Sequence, residues 1–281
     1  MFPCRRLRRE KEDVAIAIVR FALFLALLVV HVPSFGDDVV PLLRAHAHND
    51  YFHERPLLDA LAHGFCSVEV DIWLIDGELR VAHERNDAKP GQTLQSLYLD
   101  PLRERVKQNG GSVYPGGPEM TLLIDIKGNG RAMYPVLRKV LEEYADILTT
   151  FTDSSIEHRA VRAIISGSRP LKTMRNFDLH YAAYDGRLTD LGSKLSSDFM
   201  PLISSSWART FSWQGVGPIP NEERVRLRAI VTQAHAEGRK IRFWATPDRD
   251  TFWKELLDAD VDYFNADDLE GLRDFFLTQA P

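Results

Sequence analysis

Between residues 40 and 265 the chain repeats one pattern eight times: a short run with apolar side chains at every second position, followed by a helix-like stretch or a turn. The runs are Val40 to His46, Ser67 to Leu74, Thr121 to Ile126, Ala160 to Ile165, Leu179 to Tyr184, Met200 to Ser205, Lys240 to Ala245 and Val261 to Asn265. Among the intervening stretches, Pro56 to His63, Tyr134 to Tyr144 and Glu222 to Glu237 have helical spacing, and the first and last run into Gly64 and Gly238. Strands that alternate with helices pair in parallel, because the crossover helix returns the chain to the same end of the sheet. Eight of them in mostly βα order predict an α/β fold, a closed (β/α)8 barrel over residues 37–281. A doubly wound open sheet is the alternative.

The first 36 residues stand apart. The basic stretch "RRLRREK" precedes an apolar run from Phe21 to Val32, and Ser34 and Gly36 supply the small residues of a cleavage site. This layout predicts a secretory signal peptide over 1–36 and an exported (secreted or periplasmic) mature protein. An uncleaved membrane anchor over residues 14–32 is the alternative reading. Without this segment 29 basic and 37 acidic side chains remain, a formal net charge of −8 with no basic run, which argues against a nucleic-acid partner. Cys66 is then the single cysteine, so no disulfide forms within one mature chain, and its place beside an apolar strand reads as core.

In "SVEVDIWL", residues 67–74, Val68, Val70, Ile72 and Leu74 form one buried row, and Ser67, Glu69, Asp71 and Trp73 the other. "TLLIDIKG" repeats the arrangement, with Leu122, Ile124 and Ile126 on the helix side and Asp125 and Lys127 opposite. In "LRAHAHND" the alternate row is Arg44, His46 and His48. A barrel brings the inward row of its first three strands to one mouth, at the end where such folds build their sites. Glu69, Asp71 and Asp125 would repel one another there, and a divalent cation relieves that repulsion. Oxygen-only ligands suit one hard ion such as Mg²⁺, or Ca²⁺. Surface carboxylates paired with Arg and Lys are the bland alternative.

The Asp76-Gly77 pair is a hairpin turn that sends the chain back through "ELRVAH" and brings His83 toward His48. Imidazole titrates near neutral pH, so two of them beside a metal suggest a general acid and a general base. That equipment suits metal-dependent phosphodiester hydrolysis, with Lys127 holding a phosphoryl oxygen or, alternatively, pairing with the acids. Trp244, on the row of Lys240 and Arg242 near the end of the seventh strand, reads as a substrate wall or as core. His46 rivals His48 for the catalytic place.

Together "HN" at residues 48–49, "VEVD", "DGELRVAHE" and "LLIDIKG" resemble the glycerophosphodiester phosphodiesterase and PLC-like phosphodiesterase superfamily, whose members are TIM barrels. The longer run "AHAHNDYFHERPLLDALAHGFCSVEVDIWLIDGELRVAHE", followed by "TLQSLYLDPL", is similar to the family of altered inheritance of mitochondria protein 6. The resemblance covers about residues 44–127. It implies a metal on Glu69, Asp71 and Asp125, acid–base work by His48 and His83, substrate contacts from Asn49, Lys127 and Trp244, and a small-molecule or lipid phosphodiester as substrate. A membrane association would then run through the N-terminal segment or through the substrate. Two departures stand out. Asn49 follows His48 where the glycerophosphodiesterases have Arg, and Asp125 replaces the more usual Glu, as in the spider-venom sphingomyelinase D branch.

Two other classes compete. "HAH" at residues 46–48 also resembles the metal pair of amidohydrolase barrels, which need nitrogen ligands from later strands. A non-catalytic exported binding barrel is the third reading, and it predicts no divalent ion.

Overall fold

Eight parallel strands form a closed barrel at the predicted places in the chain, except that the fifth, expected over Leu179 to Tyr184, runs from Ala183 to Gly186. The structure, a computed structural model, describes residues 39–279. The predicted leader over 1–36, with its anchor alternative, lies outside the described residues. Among the described residues no helix is long and apolar enough to cross a membrane.

Strands β1 (Leu42–Ala47) and β2 (Phe65–Ile75) begin the barrel, and β3 (Glu78–Val81) folds back on β2. Then come β4 (Met120–Ile126), a small ribbon of β5 (Thr150–Phe151) and β6 (Ile156–Glu157), and β7 (Val161–Gly167). Last are β8 (Ala183–Gly186), β9 (Leu202–Ser206), β10 (Lys240–Trp244) and β11 (Tyr263–Ala266). The barrel order is β1, β2, β4, β7, β8, β9, β10, β11, and β11 pairs with β1 to close it. Full closure leaves no exposed parallel edge.

The eleven-residue β2 serves two partners. Its Ser67–Ile72 stretch lies beside Thr121–Ile126 of β4, and Ile72–Ile75 extends past the rim to pair antiparallel with β3. Asp76 (φ 52°) and Gly77 (φ 84°) make the turn, the left-handed pair that a tight hairpin requires. In β1 the register shifts between Leu42 and His46, and Leu43 faces solvent instead of joining the buried row with Ala45 and Ala47.

The helix-side rows are fully buried: Val68, Val70 and Ile72 on β2, Leu122 and Ile124 on β4. Helices Gly130–Glu142, Asn221–Ala236 and Leu269–Gln279 are among those that cover the barrel. Asn129 caps the first by accepting from Ala132 N (3.2 Å), and Gly238 (φ 70°) ends the second. Cys66 is buried, and burial pushes its thiol up to about 12, as expected for a core residue.

Candidate active site

Register sets the first layer of the site. Asp71 on β2 lies beside Asp125 on β4, and Asp125 lies beside Ser166 on β7, so three inward side chains share one level at the rim. Glu69 sits one inward position deeper. Each of the three acids offers an oxygen within 4.8 Å of the others.

The acids differ in their partners. Asp71 Oδ2 accepts from the Tyr51 hydroxyl (2.6 Å) and Lys127 Nζ (2.9 Å), and His83 Nδ1 lies 3.0 Å away. Asp71 Oδ1 is buried and has no hydrogen-bond partner among the described residues. Lys127 Nζ also reaches Asp125 Oδ1 (3.2 Å). Glu69 is bonded by Arg242, whose guanidinium crosses the barrel interior and also donates to Asn265 Oδ1.

These partners set the charges. Burial pushes Asp125 up to about 6 and the neighbouring Glu69 and Asp71 charges add to this, against the pull of Lys127. Burial and the Glu69 charge raise Asp71 as well. Burial alone would raise Glu69 too, but Arg242 and His46 hold it below the ordinary carboxylate range. The protein thus supplies less positive charge than the cluster calls for, and one buried oxygen is left open. That donor set and that orphaned atom fit a hard divalent cation.

The two histidines flank the acids. His48 follows β1, and its Nδ1 lies 2.8 Å from Asp267 Oδ1 beyond β11. His83 follows β3, and its Nδ1 is held by Asp71 and lies 3.2 Å from the Tyr51 hydroxyl. His46 is sealed beneath them, 2.6 Å from Ser67 Oγ and 3.5 Å from Glu69 Oε2, and burial pushes it down to about 3. A neutral, buried His46 supports Glu69 and is not among the residues lining the cavity that His48 lines. Of the later-strand histidines that the amidohydrolase reading needs, only His180 is even roughly placed in the sequence, and it stacks on Phe151 (4.9 Å) at the β5 ribbon, away from the mouth.

A cavity of about 220 Å³ unites the site, lined by His48, Asn49, Glu69, His83, Asp125 and Lys127 on one side and Ser166, Arg187, Arg242 and Trp244 on the other. Asp71 is bonded to two of the lining residues, Lys127 and His83. All eight residues singled out in the sequence are therefore neighbours. Asn49 holds a left-handed turn (φ 45°, ψ 43°), which an asparagine tolerates, and its Oδ1 lies 2.9 Å from the Tyr51 hydroxyl. Lys127 is the internal counter-ion of two acids. Trp244 ends β10 half-buried, with the Arg187 guanidinium 5.1 Å from its ring centre.

Sequence reasoning passed over Tyr51, Ser166, Asp185 and Arg187, and read Arg242 only as a row-mate of Trp244. It also passed over Gly167 (φ 67°), where a methyl group would meet Asp125 Oδ1. No acid stands near Gly167 in the sequence, so nothing local marked its contact with Asp125.

Residues 33–184, just over half of the chain, match the model of the AIM6-like phosphodiesterase domain. The chain belongs to that family. Altered inheritance of mitochondria protein 6 of Eremothecium gossypii is 30% identical to it, over 87% of this chain and 72% of the relative. The homolog in Arthroderma benhamiae is also 30% identical, over 85% of each chain. A glycerophosphodiester phosphodiesterase from Agrobacterium tumefaciens superposes with a TM-score of 0.52 at 15% identity, over 84% of this chain and all of that one, which shows a shared barrel fold. In this AIM6-like domain, all of the acids and histidines described above except Asp185 and Asp267 fall within the matched residues.

Proposed function

We propose that the barrel mouth hydrolyses a small-molecule or lipid phosphodiester with the help of one divalent cation, Mg²⁺ or Ca²⁺. The single observation that carries this reading is Asp71: one oxygen takes three donors and the other, buried, takes none among the described residues, and the carboxylate offers an oxygen within 4.8 Å of oxygens from Glu69 and Asp125. Glu69, Asp71 and Asp125 would hold the ion. When bound, it would neutralise the anionic phosphoryl group and polarise it toward attack.

The chain's own residues supply the rest. His48 and His83 line the same cavity, each with Nδ1 engaged by a carboxylate, which leaves Nε2 of each ring for proton transfer. One takes a proton from the attacking hydroxyl or water, and the other gives one to the leaving oxygen. Tyr51 fixes His83 and Asp71 relative to each other, and Asn49 holds Tyr51 in turn.

Turnover of bis(p-nitrophenyl) phosphate tests the assignment of the histidines. His48→Ala and His83→Ala are expected to lose turnover by roughly 100-fold or more while Mg²⁺ binding survives. Turnover unchanged in both variants would overturn it.

A further inference from the structure

We propose that Arg187 binds a non-bridging phosphoryl oxygen of the substrate, and that Asp185 is the residue that positions it. The inference rests on the phosphodiesterase reading for the identity of the ligand, and on the following geometry for the residue. Arg187 directly follows β8, across the barrel from β1 and β2.

Its guanidinium is aimed before any ligand arrives. Nη1 donates to Asp185 Oδ2 (2.6 Å) and to the Gly186 carbonyl (2.9 Å). Nη2 has only a long contact to Ser166 Oγ (3.4 Å), and Nε has no partner among the described residues. One edge of the fork is thus anchored and the other edge remains for an anion. The Trp244 ring, 5.1 Å away, supports the flat face of the group and limits its swing.

Asp185 is fully buried, and both of its oxygens are committed. Ser166 Oγ donates to Oδ2 (2.7 Å) from β7, and Ser204 Oγ donates to Oδ1 (2.6 Å) from β9. Three adjacent strands therefore fix one carboxylate, and that carboxylate fixes Arg187. This is more support than a surface ion pair receives.

The other cations that line the cavity are already neutralised. Lys127 lies between Asp71 and Asp125, and Arg242 is buried against Glu69. Arg187 is paired with Asp185 as well, but only through Nη1, so the Nε and Nη2 hydrogens of this lining residue have no close partner among the described residues. A second guanidinium, Arg169, bonds the Asp185 carbonyl; burial and the nearby Arg187 charge push it down. The β8 side of the mouth thus carries two guanidiniums, with Asp185 and Asp190 beside them, opposite the acids of β2 and β4. A phosphoryl group between the two sides would meet donors on one and the metal ligands on the other.

The test is a phosphorus NMR titration of the full chain, loaded with Mg²⁺, using dimethyl phosphate as probe. Wild type is expected to bind it, Arg187→Gln to weaken binding by about tenfold or more, and Arg187→Lys, which keeps charge without the fork, to fall between. Asp185→Asn is expected to weaken dimethyl phosphate binding while Mg²⁺ affinity, measured by calorimetry, stays at the wild-type value. Circular dichroism establishes that each variant is folded. If Arg187→Gln does not fold, Arg187→Lys decides the matter. Binding by the folded Arg187 variant as tight as wild type, or no binding by wild type, overturns the inference. Arg187-dependent binding with no turnover of bis(p-nitrophenyl) phosphate by wild type would uphold the inference and sink the phosphodiesterase reading. Hydrolysis with a KM untouched by Arg187→Gln would do the reverse.

Discussion

His48 Nδ1 lies 2.8 Å from Asp267 Oδ1, a contact that joins the end of the first barrel strand to the loop after the last. The pair orients the imidazole and leaves Nε2 for the cavity. Asp248 Oδ2 accepts from the backbone N–H of both Asp267 and Asp268, so the loop that carries the carboxylate is itself held. Asp267→Asn is expected to lower kcat by about tenfold with little change in Mg²⁺ affinity, because an exposed carboxylate orients the ring without being a ligand. A kcat within twofold of wild type would remove Asp267 from the site.

Gly167 lets the Asp125 carboxylate lie against the end of β7. Gly167→Ala places a methyl group on Asp125 Oδ1 at a positive φ, so both strain and displacement fall on one of the three acids. The expected result is a loss of Mg²⁺ affinity of about tenfold, read by calorimetry. Unchanged affinity in a folded variant would show that Asp125 is not a ligand.

Asp50 is fully buried, accepting from Leu57 N (2.5 Å) and the Tyr98 hydroxyl (2.9 Å), with Oδ1 unpartnered among the described residues. Burial pushes it up to about 6 against those two hydrogen bonds, and the Asp59 charge adds to the rise. The folded state therefore holds this proton more tightly than the unfolded chain. The stability it contributes is complete below pH 3.8 and is lost as pH rises through about 6. The loss amounts to roughly 3 kcal/mol at most. Asp50→Asn is expected to flatten the fall in Tm between weakly acidic and neutral pH, and a fall as steep as in wild type would contradict this.

Arg242 and Glu69 form a buried ion pair across the barrel. Arg242→Met leaves the Glu69 charge without its partner, and a cost of about 3–5 kcal/mol is expected in urea unfolding of the chelated protein. Added Mg²⁺ should recover part of it, since a cation at the cluster again balances Glu69. A cost under about 1 kcal/mol would mean that the pair is solvated in solution.

The barrel was legible because each strand carries its own period of two, and the Asp76-Gly77 turn names the hairpin outright. The acids were legible for the same reason: alternation states which face Glu69, Asp71 and Asp125 occupy, and a closed barrel has one inside. What alternation omits is depth and opposition. His46 and His48 share a row, yet one lies at the level of Ser67 inside the barrel and the other lies past the strand end. Arg242 meets Glu69 across 173 positions of sequence, and Asp185 gathers Ser166 and Ser204 from neighbouring strands. Nothing local in "AYDGR" or "IRFW" marks either arrangement. Tyr51 was hidden because a short helical turn after β1, not a strand, carries its hydroxyl to Asp71.

The most direct measurement is hydrolysis of bis(p-nitrophenyl) phosphate by chelated protein before and after Mg²⁺ is restored, alongside Asp71→Asn. Turnover should vanish on chelation and return with Mg²⁺ in wild type. The variant, which replaces the carboxylate bearing the open buried oxygen, should stay inactive at any Mg²⁺ concentration. Metal-independent turnover, or Asp71→Asn activity equal to wild type, would contradict the metal-assisted phosphodiesterase site at the centre of this barrel.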